Sequence, residues 1–365
     1  MKILHVNAGL EAGGGLTHII NLLTEAKKEG QDFVLLVFAE GPVAKAARAA
    51  QLEVHVLGAN SRYDFSSLRR LAAFINHGHY DIVHTHGARA NLYLSLIKRK
   101  ITARWCVTVH SDPYLDFSGR GIMGKIFTQL NLRALKKADW LFAVTKRFKK
   151  LLVTKAKINP TKVYVIYNGI FFHTNNSLPP KEEHRGFNLI NVARAEKVKG
   201  QDLLLRAVKN INNPDIHLYF AGDGSELSKL KSLTRELELT AQVTFLGFLT
   251  QEQLTELYRR MDLAVLASYS ESFPLVLLEA SDNLVPLLST AVGDIEMMIP
   301  DRQHGFVAKI GDLTSLTAGL RTALEMNDQE LVAMAKREKD YLVHNFAVKQ
   351  QLAVILRVYE RYLKA

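Results

Sequence analysis

Short apolar runs recur along the first half of the chain, separated by longer stretches of mixed pattern. Lys2–Asn7, Phe33–Phe38, Glu53–Leu57, Asp81–His84, Arg104–Val109, Trp140–Ala143 and Val163–Ile166 read as strands. Between them Leu16–Lys28, Leu68–Asn76, Ala88–Lys98 and Ile122–Lys137 read as helices. Strands alternating with helices predict a parallel sheet covered on both faces, in an α/β architecture. In such sheets ligands gather at the carboxyl ends of the strands. Residues 1–168 are read as a first α/β domain. The polar stretch Phe171 to Gly186, with Pro179-Pro180, reads as a linker, placed at 169–186. A second βα series begins at Phe187–Val192 and fills 187–345. A final helical stretch, Val348 to Leu363, lies within 346–365.

Composition narrows the class. At 365 residues two domains are expected. With 48 % hydrophobic and 23 % charged residues the chain reads as soluble and globular. No apolar run approaches the ~20 residues of a membrane span. The start MKILHVNAG has no long apolar segment before a cleavage site, so no signal peptide is expected. Cys106 is the single cysteine, which excludes an internal disulfide and fits a cytoplasmic location.

The most informative stretch is SYSESFPLVLLEAS, Ser268 to Ser281. It follows the apolar run Leu263 to Ala267. A polar loop leads to Pro274, which opens a helix where proline costs least. The helix N-terminus would then offer free N–H groups to an anion. Glu271 and Glu279, with seven residues between them, flank that site. On one continuous helix they would stand about 80° apart, but the loop intervenes. Carboxylates there suit sugar hydroxyls better than phosphate. The alternative is two solvated glutamates.

Other candidate chemistry lies at strand ends. The first strand runs into Gly13, Gly14 and Gly15, where backbone can approach a ligand closely. A dinucleotide fold with Glu40 as its ribose acid is the rival, but the spacing is not G-x-G-x-x-G. His84, His86 and His110 close later strands. A three-histidine metal site is conceivable, yet no further acid or cysteine stands at ligand spacing, so no metal is expected. His84 and His86 are read either as satisfied strand-end histidines or as residues that line a ligand site. Arg194 and Lys199, just past a strand and before a helix, could converge on one phosphate or lie solvated. Gly222 and Gly247 close two further strands.

Together these segments resemble the retaining glycosyltransferases of GT-B architecture, in particular family 4. Glu271-Ser-Phe-Pro…Glu279 matches its EX7E motif, and Arg194 to Gly200 matches its R-x4-K-G motif. The resemblance implies two Rossmann-like β/α/β domains facing each other across a cleft, with the last helix crossing back to the first domain. It implies that Glu279 holds the ribose of a nucleoside diphosphate sugar and that Glu271 lies beside the donor sugar and phosphate. Ser272, Phe273, Pro274 and Leu275 would line the donor, with backbone N–H groups from all but the proline. Gly13, Gly14 and Gly15 would lie against its phosphates, His110 near the reacting carbon, and Arg194 and Lys199 on the leaving diphosphate. Gly222 and Gly247 would border the base. The leaving phosphate itself would take the acceptor's proton, and no cofactor or metal is needed. The chain departs from the family at Leu16, at Ala280 to Leu284 and at Val292-Gly293-Asp294, which bear on the sugar.

The expected activity is retaining, metal-independent transfer from a nucleoside diphosphate sugar, with UDP-sugar favoured, in bacterial-type cell-surface glycan, glycolipid or polymer synthesis. A nucleotide-sugar epimerase of the same fold, or a non-catalytic binding partner, are the alternatives. The charge bears on the acceptor. Residues 98–157 carry 15 Lys and Arg against three Asp, while the whole chain is formally +11. This stretch, Lys98 to Lys157, would dock on an acidic or lipid-linked acceptor, or at the inner face of an anionic membrane. It includes an amphipathic helix candidate, Gly121 to Lys137. The alternative is a solvated basic face with Ile122 and its neighbours in the core. No nucleic-acid motif accompanies the charge.

Overall fold

The computed structural model describes residues 1–11, 13–58, 66–117, 119–173 and 181–364. They divide into two compact units, Met1–Phe171 with Phe346–Ala365, and Phe172–Asn345.

In the first unit seven strands form one sheet: β1 Lys2–Asn7, β2 Asp32–Val37, β3 Val54–Val56, β4 Ile82–His86, β5 Arg104–Val109, β6 Trp140–Ala143 and β7 Val163–Val165. Their spatial order is β3-β2-β1-β4-β5-β6-β7. Every neighbouring pair is parallel. The connecting helices are α1 Gly14–Lys28, α2 Pro42–Ala49, α3 Ser66–His77, α4 Ala88–Ile97, α5 Gly121–Lys137 and α6 Lys146–Thr154. The basic run at Lys146 starts α6, whose first turn is closed by Thr145 Oγ1 accepting from Phe148 N at 3.1 Å.

Strand alternation sorts the core into two layers. Leu4, Val6, Leu36, Val83, Trp105 and Val107 point to one face. Ile3, Leu35, Ile82, Cys106, Trp140 and Phe142 point to the other, where α1 packs.

The second unit repeats the plan. β8 Phe187–Val192, β9 Ile216–Ala221, β10 Val243–Gly247, β11 Leu263–Leu266, β12 Leu287–Thr290 and β13 Phe306–Ala308 are ordered β10-β9-β8-β11-β12-β13. All are parallel. Its helices are α7 Gln201–Ile211, α8 Leu227–Glu236, α9 Gln251–Tyr258, α10 Leu275–Asp282, α11 Leu313–Glu325 and α12 Asp328–Phe346.

The last helix, α13 Val348–Lys364, buries Leu352, Ile355, Val358 and Tyr359 in the first unit, on the α1 face. Of the stretch read as a linker, residues 174–180 lie outside the described residues. Lys181 Nζ donates to Met261 O at 2.7 Å and Glu182 N to Arg259 O at 3.0 Å, so that end is already tied into the second unit. No described helix is long and apolar enough to cross a membrane.

Each sheet reverses its strand order once, between β1 and β4 and between β8 and β11. The crevice at such a reversal is where open α/β sheets bind ligands.

Candidate active site

The second reversal gathers most of the residues singled out in the sequence. Arg194 and Lys199 stand on the loop leaving β8, and Glu271 stands on the loop leaving β11. Lys199 Nζ lies 2.7 Å from Glu271 Oε1, in a pair whose side chains are 18 % and 12 % exposed. Ser268 Oγ donates to the same oxygen at 2.7 Å.

Close backbone approach produces this pairing. Gly200 adopts φ +61, and a Cβ there would sit 2.1 Å from Ala267 O. Tyr269 N donates to Val198 O at 2.8 Å, locking the two loops together. A side chain at position 200 would push the lysine away from the glutamate.

Arg194 is held differently. Its Nη1 pairs with Glu196 Oε1 at 2.6 Å, and its side chain is 73 % exposed. The two cations share a loop but lean on different carboxylates.

Pro274 is the N-cap of α10, and the helix proper begins at Leu275, one residue later than the sequence predicts. Phe273 is buried and Ser272 half-buried behind it. Glu279, one turn into the helix, is half-buried. Burial, and then the neighbouring Asp282, raise its carboxyl above the ordinary range. Asp282 is itself pinned. Lys339 Nζ lies 3.1 Å from Oδ1 and donates to the Asp282 carbonyl at 2.7 Å. His173 N and Nδ1 contact its two carboxylate oxygens at 2.8 and 2.6 Å.

Gly222 and Gly247 meet at the ends of β9 and β10, where Gly222 N donates to Gly247 O at 2.7 Å. A Cβ at Gly222 would fall 2.0 Å from Ala193 O, so the Arg194 loop needs glycine beneath it.

The first reversal holds the glycine loop. Gly13 is the N-cap of α1, and Gly14 and Gly15 form its first turn. A Cβ on Gly13 or Gly14 would meet nothing within 4 Å. Glu11, which the sequence reading passed over, lies in the same loop. Its carboxylate packs against Gly87, the residue after β4, where a Cβ would come within 2.3 Å of Oε1. Burial raises its carboxyl, a hydrogen bond from Asn7 opposes this, and Asp116 adds to the rise. The only hint in the sequence was its place between β1 and the glycines. Glu40, weighed as a ribose acid, instead holds Arg48 at 2.6 and 3.0 Å on the surface.

Beside this loop five histidines cluster on the α1 face of the sheet. The parallel registers set His5 against His84, and Asn7 against His86. His110 follows β5, and His18 enters from α1. His5 Nδ1 lies 3.0 Å from His86 Nε2, and His86 Nδ1 lies 3.0 Å from His110 Nε2. Burial holds all five neutral: His5 is pushed down to about 3 and His18 to about 4, while His84, His86 and His110 fall well below the usual range.

His84 corrects the idea that it lines a ligand site. It is fully buried, with Nδ1 2.6 Å from Tyr359 OH of α13 and Nε2 2.6 Å from Thr108 Oγ1. His86 is fully buried too, and His110 is half-buried.

The basic stretch runs from the end of α4 through β5, α5 and β6 to the residues after α6. On α5, Ile122, Met123 and Ile126 are exposed at 78 %, 51 % and 45 %, with Leu115 at 61 % in the preceding loop. Ile122 and its neighbours are therefore not core residues. Arg120, Lys125 and Arg133 are exposed beside them.

Comparison with known proteins fits this geometry. Residues 12–171 match the model "Glycosyltransferase Family 4" and residues 175–340 match "Glycosyl transferases group 1". A D-inositol 3-phosphate glycosyltransferase of Mycobacterium marinum is 25 % identical over 390 residues, 96 % of this chain and 82 % of that protein. The UDP-Gal:alpha-D-GlcNAc-diphosphoundecaprenol alpha-1,3-galactosyltransferase of Escherichia coli is 25 % identical over 312 residues, 81 % and 79 %. Anabaena Alr3699/HepE, solved in complex with UDP, superposes with a TM-score of 0.83 at 17 % identity, covering 99 % of this chain and 100 % of that one. A glycosyltransferase from Rickettsia africae gives a TM-score of 0.84 at 19 % identity, covering 100 % and 98 %. Two α/β units whose strands follow one order, the first with one strand more, and family matches that between them span residues 12–171 and 175–340, place the chain among the group 1, family 4 glycosyltransferases of GT-B fold.

Proposed function

We propose that the chain transfers a sugar from a UDP-sugar, with retention of anomeric configuration and without a metal, to an acidic or lipid-linked acceptor. The observation that carries this is the Lys199–Glu271 pair at the β8/β11 reversal. A cation fixed there is aimed at a diphosphate, and the carboxylate beside it is aimed at sugar hydroxyls. Charge grows on the departing diphosphate, where preorganised cations and helix N–H groups stabilise it most. Lys199, Arg194 and the start of α10 fill that role. Glu279 takes the ribose, Glu271 and His110 the sugar, and Gly13 to Gly15 leave room for phosphate. The leaving phosphate accepts the acceptor's proton as attack proceeds from the same face.

The UDP-bound Anabaena neighbour supports the uridine donor. The E. coli relative's name carries a UDP-Gal donor and a diphosphoundecaprenol acceptor, which supports a lipid-linked acceptor in cell-surface glycan synthesis. The exposed apolar residues of α5, with Arg120, Lys125 and Arg133 exposed on or next to the same helix, suit reversible contact with anionic lipid.

The experiment is a thermal-shift screen of UDP-, GDP- and ADP-sugars, followed by turnover with the best donor and NMR of the product anomer. A UDP-sugar should stabilise the protein most and yield a product of unchanged anomeric configuration. An inverted product, or isomerised donor without acceptor, would overturn the assignment.

A further inference from the structure

The histidine cluster holds more imidazole than one donor contact requires. Three of its buried ring nitrogens, His5 Nε2, His18 Nε2 and His110 Nδ1, have no hydrogen-bond partner. Two triads each bring three ligating atoms within 4.8 Å of one another: His5, His84 and His86, and His18, His86 and His110.

The two triads differ chemically. In the first, both nitrogens of His84 are engaged, so a metal would have to break a 2.6 Å contact. In the second, His18 is ready to ligate. Its Nδ1 lies 2.8 Å from Asn168 Oδ1 and 3.0 Å from Gln351 Nε2, while Nε2 is unused. The shorter contact, to Asn168 Oδ1, sets the proton on Nδ1 and leaves a lone pair on Nε2; the Gln351 amide then packs against Nδ1 without donating to it. Such an outer partner fixes the tautomer of metal-binding histidines. His86 has the same support, since its Nε2 faces His5 Nδ1 at 3.0 Å.

The spacing also fits. His86 Nδ1 and His110 Nε2 are 3.0 Å apart. Zinc–nitrogen bonds of about 2.0–2.1 Å in a tetrahedron set neighbouring nitrogens about 3.3 Å apart. The rings need to part by only about 0.3 Å, with the proton between them moving to the outer nitrogen of the ring that carries it.

We propose that His18, His86 and His110 form a binding site for a divalent transition metal of the zinc class, with the fourth position open. Three imidazoles without a carboxylate favour zinc, nickel or copper over magnesium or manganese. His110, the least buried of the three, is the side from which the ion enters. A metal here occupies His110, which the proposed function gives to the donor sugar, so it inhibits transfer rather than serving it. That consequence rests on the proposed function; the site itself does not.

The test uses untagged full-length protein stripped with chelator. Zinc is titrated in competition with a chromophoric chelator, and cobalt is added separately for its visible spectrum. Expected are about one tight equivalent per chain, a higher Tm with zinc, and the intense absorption of four-coordinate cobalt. His18→Asn and His86→Asn should abolish tight binding, Asn168→Ala should weaken it about tenfold, and the surface control His55→Asn should leave it unchanged. A weak six-coordinate cobalt spectrum in the wild type overturns the site whatever the variants do. So does tight binding that survives in folded His18→Asn and His86→Asn protein. Tight zinc binding that leaves transfer uninhibited keeps the site and removes His110 from the sugar.

Discussion

Lys199 Nζ and Glu271 Oε1 lie 2.7 Å apart although 72 positions separate them in the chain. They meet because the loops after β8 and β11 flank the point where the sheet reverses, and because Gly200 lets those loops touch. The pair holds a cation in place before any donor arrives.

Removing that cation should slow transfer more than it harms the fold. Lys199→Ala is expected to lower turnover at least tenfold, since a charge-assisted contact to diphosphate is worth about 1.5–3 kcal/mol. Arg194→Ala should do the same with less effect on Tm, because its side chain is mostly exposed. Steady-state kinetics and thermal melts of both variants check this. Wild-type turnover in both would remove the leaving-group assignment.

The seven strands of the first unit and its helices α1, α3, α4 and α5 were legible because period-2 burial and apolar runs are local signals. Glu271, Arg194 and Lys199 were legible because each lies at a strand end within a short motif, and Glu279 because it closes one of those motifs from α10. Of the histidine cluster only His84, His86 and His110 were, as strand-end residues; His5 and His18 were not. His18 comes from α1, His5 from β1, and Tyr359 from a helix 275 positions after His84. Only the sheet order brings them together. Glu11 was hidden for the same reason, since its neighbour Gly87 arrives through β4.

Asp282 anchors the helix that carries Glu279. Its pair with Lys339 is almost wholly buried, with side chains 4 % and 2 % exposed. Asp282→Ala leaves a buried ammonium without its carboxylate, and should cost about 3–5 kcal/mol. Denaturant melts measure the loss. A change below about 1 kcal/mol would mean that Lys339 finds another anion or reaches water.

Glu338 of α12 gives a pH signature. It is fully buried, neither oxygen makes a well-formed hydrogen bond, and the nearby Leu287 amide only partly offsets burial. Its carboxyl is therefore raised well above the ordinary 4.5. Below that value both folded and unfolded chains hold the proton. Above it the unfolded chain releases the proton first, so Glu338 lowers stability as pH rises, by up to about 1.4 kcal/mol per pH unit, until the folded group also ionises. Glu338→Gln should stabilise the protein at neutral pH, with a gain that shrinks towards pH 4.5. A gain independent of pH would show that Glu338 is charged in the folded state.

Chelation separates the cofactor question from the histidine site. If Lys199, Arg194 and the α10 N-terminus neutralise the diphosphate, EDTA should leave transfer intact, or raise it where zinc was bound. Loss of activity in EDTA that magnesium or manganese restores would show that a metal carries that charge.

The last expectation concerns α5. Ile122, Met123 and Ile126 are exposed together, and the surrounding stretch, residues 98–157, carries 15 basic residues against three acidic ones. Each Lys or Arg near an anionic bilayer contributes about 1 kcal/mol, fading beyond a Debye length of ~8 Å. Inserted apolar side chains add a term that salt does not screen. The two terms can be told apart by vesicle sedimentation. Lys146, Arg147, Lys149 and Lys150 changed to Glu should abolish binding to anionic vesicles at low salt. Ile122→Ser with Ile126→Ser should leave initial low-salt attraction but remove whatever binding persists at high salt. Equal binding to neutral vesicles would assign the contact to the apolar residues alone. No binding to anionic vesicles would leave this face to a soluble acidic acceptor, and transfer assays with the same charge-reversed variant would then show the loss.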